Sequence, residues 1–363
     1  MTLTTTGSDD VSPSYSHLIE HDHLGAEPVV IATSPDGATR VAVARRGATL
    51  VRWEVDRLGA PFDLTDGYRD EAELLAQDGV RNGVLAPFPN RVTDGRYTFA
   101  DTVTDTDAVA EREFDLLPGR TASRLIYHGF ARELPFDLAE AVVSGSGADL
   151  TFTARIRPDQ FPGYPFSLDL EVGYAVAANE LSISVRVTNT GTSTAPYAAG
   201  WHPYFRLPGA VDDWTLEIPA HTLVRTDDAL IPLDGDAAYQ ALDDNPAMDF
   251  RQPRELRGLV LDACFTDLAF GQGDRDEHRR EHRAETVLRN AQTGDELRVW
   301  QLAGSMHVFT GDTLARDRRR SIALEPVEVV TNAFNRAECA AALRLGPGET
   351  RNFRFGARYI SGH

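Results

Sequence analysis

An all-β fold is the class this chain predicts, from recurrent period-two alternation of apolar and polar residues and from the scarcity of helical periodicity. Leu168, Leu170, Val172, Tyr174 and Val176 alternate with Asp169, Glu171 and Gly173, as a half-buried strand requires. After a link at residues 177–180 the alternation resumes with Leu181, Ile183, Val185 and Val187 against Ser182, Ser184, Arg186 and Thr188, and it stops at Asn189-Thr190-Gly191. The two runs predict an antiparallel hairpin. The same alternation marks Leu150 to Ile156 and, more briefly, the stretches around Leu297–Leu302 and Phe353–Phe355. A short segment near Glu71–Gln77 is the best helical candidate, so βαβ units and a parallel sheet are not expected.

Turn clusters punctuate the strands: Asp94-Gly95, Ser144-Gly145-Ser146-Gly147, Asp234-Gly235 and Gly346-Pro347-Gly348. No Pro/Ser-rich linker and no fixed-period repeat divides the chain. Residues 1–25 are expected to form a flexible N-terminal tail, and residues 26–363 one β domain. The 363 residues are 42% hydrophobic and 25% charged, which is enough apolar material for a large core.

A formal net charge of −19 argues against nucleic-acid binding, which depends on clustered Lys and Arg. Cys264 and Cys339 are too few for a disulfide framework or a thiolate zinc site, and reduced thiols are expected. The N-terminal stretch has neither a basic start nor an apolar run, so it does not read as a signal peptide. No window approaches the roughly 18 apolar residues of a membrane span. The expectation is a cytoplasmic protein, monomer or homodimer, with no nucleic acid or membrane partner.

Four segments hold polar groups that a β core does not need. Pro87-Phe88-Pro89-Asn90-Arg91-Val92 precedes Gly95, Tyr97 and Phe99, and its Asn and Arg offer donors and an acceptor suited to vicinal hydroxyls. Taken alone, such a pair more often satisfies nearby backbone groups. Tyr127-His128-Gly129-Phe130 sets a histidine among aromatics, where a buried structural role is the commoner one. In Gly200-Trp201-His202-Pro203-Tyr204-Phe205, Pro203 restricts the backbone of His202 and removes a competing donor. In Ala323-Leu324-Glu325-Pro326-Val327-Glu328 a carboxylate follows two apolar residues, and desolvation there raises its pKa towards that of a useful base; the plainer alternative is an arginine salt bridge.

Taken in order, Asn-Arg-Val with a downstream Gly-x-Tyr-x-Phe, His-Gly-Phe, His-Pro-Tyr-Phe and Leu-Glu-Pro resemble the aldose 1-epimerase (galactose mutarotase) family across residues 81–335. The resemblance implies a large antiparallel β-sandwich, the galactose mutarotase-like supersandwich, with a sugar in an open cleft. It implies catalytic roles for His202 as general acid and Glu325 as general base. It also implies sugar contacts from Asn90, Arg91, His128, Tyr204 and Asp262, with Asp267 the alternative aspartate. His307, in Met306-His307-Val308-Phe309-Thr310-Gly311-Asp312, stands where many members have Gln, and Pro-Phe-Pro-Asn-Arg departs from the galactose-type motif, so sugar preference does not transfer. The spacing from Arg91 to His128 implies an extended hairpin near the cleft.

Interconversion of α and β anomers requires proton removal from the anomeric hydroxyl and protonation of the ring oxygen. A histidine, ordinarily with a pKa near about 6.5, and a desolvated glutamate supply both without metal or other cofactor. Protonated His202 is the expected acid and Glu325 the expected base, with Trp201 lining the apolar sugar face. Three alternatives stay open: a non-catalytic sugar-binding protein, a mutarotase for an anionic hexose bound by the basic run Arg316–Arg320, and a glycosidase using two carboxylates. His278 and His282 in the charged stretch 274–283 are expected to be solvated surface rather than a zinc site.

Overall fold

The computed structural model describes residues 18–100, 112–118, 126–272 and 282–362. Strands dominate it and pair antiparallel throughout the named sheets. The expected hairpin forms as Leu168–Ala177 and Glu180–Asn189, with Leu170 opposite Val187, Val172 opposite Val185 and Tyr174 opposite Ile183. Every apolar member of the alternation is buried, because a two-residue period sends all of them to one face. The helical candidate forms as Glu71–Ala76, started by Asp70, whose side chain accepts from the Glu73 amide, and stopped by Gln77 in the left-handed region.

Two sheets make the sandwich. The larger runs Asp137–Ser144, Gly147–Ile156, Leu168–Ala177, Glu180–Asn189, Thr350–Ile360, Glu296–Gln301, His282–Asn290, Trp214–Glu217 and Arg254–Glu255. The second runs Tyr239–Ala241, Ala220–Val224, Asp262–Leu268, Ser305–Phe309, Ile322–Val327, Gly200–Trp201 and Val84–Leu85. Their facing side chains belong to one continuous core, and Trp201 of the second sheet stacks on Phe355 of the first at 5.4 Å. Trp201 is therefore fully buried core, with its indole N–H donating to the Asn82 carbonyl, and not the cleft-lining ring expected from its motif.

A third, five-stranded sheet spans Ile19–Leu24 to Ala60–Asp63. Its first strand lies inside the segment expected as a tail, and pairs with Glu27–Thr33 through a turn at Gly25. Four of its six residues are exposed, so its place in the sheet rests on backbone pairing and left no apolar pattern to read. Of the hairpin expected between Arg91 and His128, Arg96–Phe99 pairs antiparallel with Arg112–Asp115, while residues 101–111 and 119–125 lie outside the described residues. No helix among the described residues is long and apolar enough to cross a membrane.

Candidate active site

The strand Ile322–Val327 is the floor of the site, and all six of its residues are buried. It pairs on one side with Ser305–Phe309, which sets His307 directly opposite Glu325. On the other side Gly200 pairs with Val327 and Tyr204 with Ala323, and counting inward from both ends sets His202 opposite Glu325. Pro203 has no N–H to give, so the ladder breaks there into two short pieces and His202 is freed from regular pairing. Its backbone is held instead by residues 82 and 83: the His202 amide donates to the Gly83 carbonyl and its carbonyl accepts from the Asn82 amide. The outcome is a His202 Nε2 to Glu325 Oε1 distance of 3.3 Å.

The Asn90 and His128 loops close a second side. Both residues have positive φ, 53° and 66°, an uncommon conformation for non-glycine residues and one that over-determined functional loops retain. They hold each other: the His128 amide donates to the Asn90 carbonyl at 2.8 Å, and the Asn90 amide donates to His128 Nδ1 at 3.3 Å. Gly129 follows at φ 63°, and a Cβ there would lie 2.2 Å from the Ala86 carbonyl oxygen, so the His-Gly step needs its glycine. The His128 and His202 rings meet edge to face at 5.0 Å.

Asp262, at the start of the strand beside Ser305–Phe309, accepts from His307 Nε2 at 2.8 Å and lies 3.8 Å from the Arg91 guanidinium. Arg91 in turn donates to Asn90 Oδ1. Arg91 and Asp262 are partly open to solvent, whereas His202, His307, His128 and Glu325 are buried. The site thus has a polar rim and a floor of proton carriers. Asp267 is exposed, and Asp262 is the aspartate the fold brings against His307 and Arg91.

Burial dominates the electrostatics. It pushes the Glu325 carboxyl up to about 8, against the pull of His307 and Arg91. It drives His202 down to about 3, helped by the His307 charge. His128 is likewise held well below its ordinary value by burial and the neighbouring His202. His307 is the exception: burial opposes its charge, yet Glu325, Asp262 and Cys264 raise it well above the ordinary histidine value. Together these shifts favour a neutral pair, a protonated Glu325 carboxyl beside an uncharged His202, over the ion pair. Desolvation is the reason, since it penalises the ion pair and leaves the neutral pair intact.

Two polar atoms of this pair, Nδ1 of His202 and Oε2 of Glu325, are buried without a hydrogen-bond partner among the described residues. Tyr204 is only 1% exposed; its ring stacks on His202 at 5.0 Å and also meets the Arg81 guanidinium, so it supports His202 and offers no surface to a sugar. Arg81 and Asp66 form a buried ion pair at 2.6 Å behind Tyr204, and no motif marked either residue. Asp66 also accepts from Arg316 and Ser321. The exposed Tyr127 meets His128 at 5.1 Å on the rim. Glu328, the second carboxylate of its motif, is used to hold the Ala199 amide.

Two arginines of the basic run are engaged by carboxylates. Arg316 is taken by Asp66, Glu73 and the Gly67 carbonyl, and Arg319 by Asp212, Asp312 and two carbonyls. A chain with 55 acidic and 36 basic residues readily absorbs such arginines in carboxylate networks. His278 lies outside the described residues, and His282 is exposed at the start of its strand. Among the described residues no cluster of three or more His, Cys, Asp or Glu is arranged to hold a metal ion.

A two-sheet antiparallel sandwich with buried histidines and a buried glutamate on one sheet defines the class to which the comparisons also lead. The sequence profile of the aldose 1-epimerase family matches residues 30–358, and the chain belongs to that family. It is 27% identical to the Escherichia coli K12 protein YihR over 319 residues, 87% of this chain and 89% of that protein. The fold is that of the GalM/aldose epimerase homologue from C. elegans, with a TM-score of 0.73 at 17% identity over 93% of this chain and 100% of that one. It is equally that of the galactose 1-epimerase from Lactobacillus acidophilus, with a TM-score of 0.73 at 16% identity over 95% and 98%.

Proposed function

We propose that the protein is an aldose 1-epimerase that interconverts the α and β anomers of an aldohexose or related sugar through His202 and Glu325. One observation carries this reading: two buried proton carriers stand 3.3 Å apart, each with a further polar atom unmatched among the described residues. A buried polar atom without a partner carries a desolvation cost, and two of them on facing proton carriers are what a hydroxyl-rich ligand satisfies. Family membership supports the same reaction class.

In the complex the shared proton passes from Glu325 to His202, and the resulting carboxylate faces the cations His307 and Arg91. Ring opening then moves the anomeric hydroxyl proton to Glu325 and forms the C1 carbonyl. The bond from C1 to the ring oxygen breaks, its electron pair stays on that oxygen, and the oxygen takes the proton from His202. The open chain is thus held against neutral His202 and protonated Glu325, the distribution that burial favours. Rotation about C1–C2 presents the other carbonyl face. Closure returns one proton to His202 and the other to the new anomeric oxygen.

Each proton carrier typically contributes about 10²- to 10⁴-fold, sufficient for a reaction that already proceeds in water. Asn90, Arg91, His128, Asp262 and His307 orient the hydroxyls, and Tyr204 fixes the His202 ring. Polarimetry on freshly dissolved α-D-glucose, α-D-galactose and a sugar phosphate tests the proposal. Wild type is expected to speed at least one sugar, and His202→Ala and Glu325→Ala to lose the effect. Undiminished rates in both variants remove the mechanism, and spontaneous rates for every sugar with wild type favour a sugar-binding protein.

A further inference from the structure

His307 differs from the other buried histidines of the site in its surroundings. His128 accepts a backbone N–H on one ring nitrogen, and His202 has one nitrogen without a partner among the described residues. His307 has a carboxylate, Asp262, 2.8 Å from Nε2, and Cys264 on the neighbouring strand is its ladder partner. Cys264 and Glu325 both lie directly opposite it in the ladders, one on each flanking strand. Residues directly opposite in an antiparallel pair project from the same face with Cβ atoms about 4.5–5.5 Å apart.

We infer that His307 is a positioning residue: an imidazolium fixed by Asp262, whose charge stands across the ladder from Glu325 as the built-in partner of the Glu325 carboxylate. This rests on the proposed function for its consequence in catalysis and on the geometry alone for the charge itself. The other groups facing the pair do not supply that charge as directly. His202 and His128 are buried and held neutral, and Tyr204 stays protonated. Arg91 is at the rim and shares its charge with Asp262 and Asn90, Arg81 is neutralised by Asp66, and Arg132 is paired with Glu133. Asp262 opposes ionisation of Glu325, and it is His307 that screens it.

The device has a purpose that burial explains. A glutamate buried without a cation is a permanently neutral acid near pH 7. A fixed imidazolium on the paired strand, acting through an effective dielectric of about 20, offsets much of that cost, and its removal moves the carboxyl by about one pH unit or more. His307→Gln keeps a hydrogen-bond donor towards Asp262 while deleting the charge, so it separates charge from shape.

Two spectroscopic measurements on the full chain read this without turnover. Infrared difference spectra across a pH titration follow the protonated-carboxyl band, assigned to Glu325 by its loss in Glu325→Gln. The expected result is a midpoint near about 8 in wild type that moves up by about one unit or more in His307→Gln. Ring nitrogen NMR of the wild-type histidines adds a test that needs no variant to fold: the His307 ring is expected to be doubly protonated at pH 7. A neutral His307 ring at pH 7, or an unmoved midpoint in His307→Gln, overturns the inference. Both expected results together with no mutarotation of any sugar leave the charge assignment standing and overturn only the proposed function.

Discussion

The hairpin formed by Leu168–Ala177 and Glu180–Asn189 and the strand Ile322–Val327 are both antiparallel β-structure, and they use burial in opposite ways. In the hairpin the inward residues from Leu168 to Val187 are apolar and the outward ones polar or small, so burial there is nearly all gain. In the site strand all six residues are buried, and the fourth is a glutamate whose second oxygen has no partner among the described residues. There burial carries a cost that the protein meets by keeping the carboxyl protonated. The contrast teaches where stability and chemistry are separated: the large sheet holds the sandwich together, and the smaller one holds strained protonation states in place.

The largest expected effect falls on the site strand. Glu325→Gln keeps the shape of the protonated carboxyl but cannot exchange its proton, and a loss of about 10²- to 10⁴-fold in mutarotation rate is expected by polarimetry, with unchanged circular dichroism. The mirror experiment is in the hairpin. Leu170→Ala is expected to cost about 2–5 kcal/mol in denaturant unfolding while leaving kcat per folded molecule unchanged. A large rate loss there would erase the division between the two sheets.

The same Glu325→Gln variant sharpens the comparison through stability. The Glu325 carboxyl titrates near about 8 in the fold and near 4.5 when unfolded, so between those values the folded state binds more protons than the unfolded one. Wild-type stability contributed by this residue therefore falls as pH rises from about 4.5 to about 8. Glu325→Gln is expected to remove that slope and to gain on the order of a few kcal/mol over wild type at pH 8 relative to pH 4.5, read from urea midpoints at the two values. The smallest effect is at the rim: Arg91→Lys loses the planar fork and is expected to lower kcat/KM about tenfold, chiefly through KM.

What was legible in the sequence follows the same division. Alternation exposed the hairpin at 168–189 because period two and burial coincide there. It did not expose Ile19–Leu24, whose pairing is carried by backbone alone. The motif residues His202, Glu325, His307, Asp262, Asn90, Arg91 and His128 do converge: Pro203 or a positive φ sets His202, Asn90 and His128, whereas Glu325, His307 and Asp262 are placed by regular ladder pairing. Tyr204 and Trp201 share a motif with His202 but point into packing, and local sequence carries no sign of which side of a broken ladder a ring takes. The ion pair Arg81–Asp66 and the location of the shared proton were equally hidden, because both depend on burial by segments remote in the chain.

The central claim is that Glu325 and His202 act as one buried pair holding a single exchangeable proton. The pH dependence of kcat/KM for the fastest sugar, measured by polarimetry, tests it most directly. The account predicts a rate that stays level from pH 5 to 7, because His202 takes a second proton only near about 3, and that falls as pH rises through about 8, where Glu325 loses the shared one. A rate that rises through an ordinary histidine value near about 6.5 and holds level beyond pH 9 would contradict it.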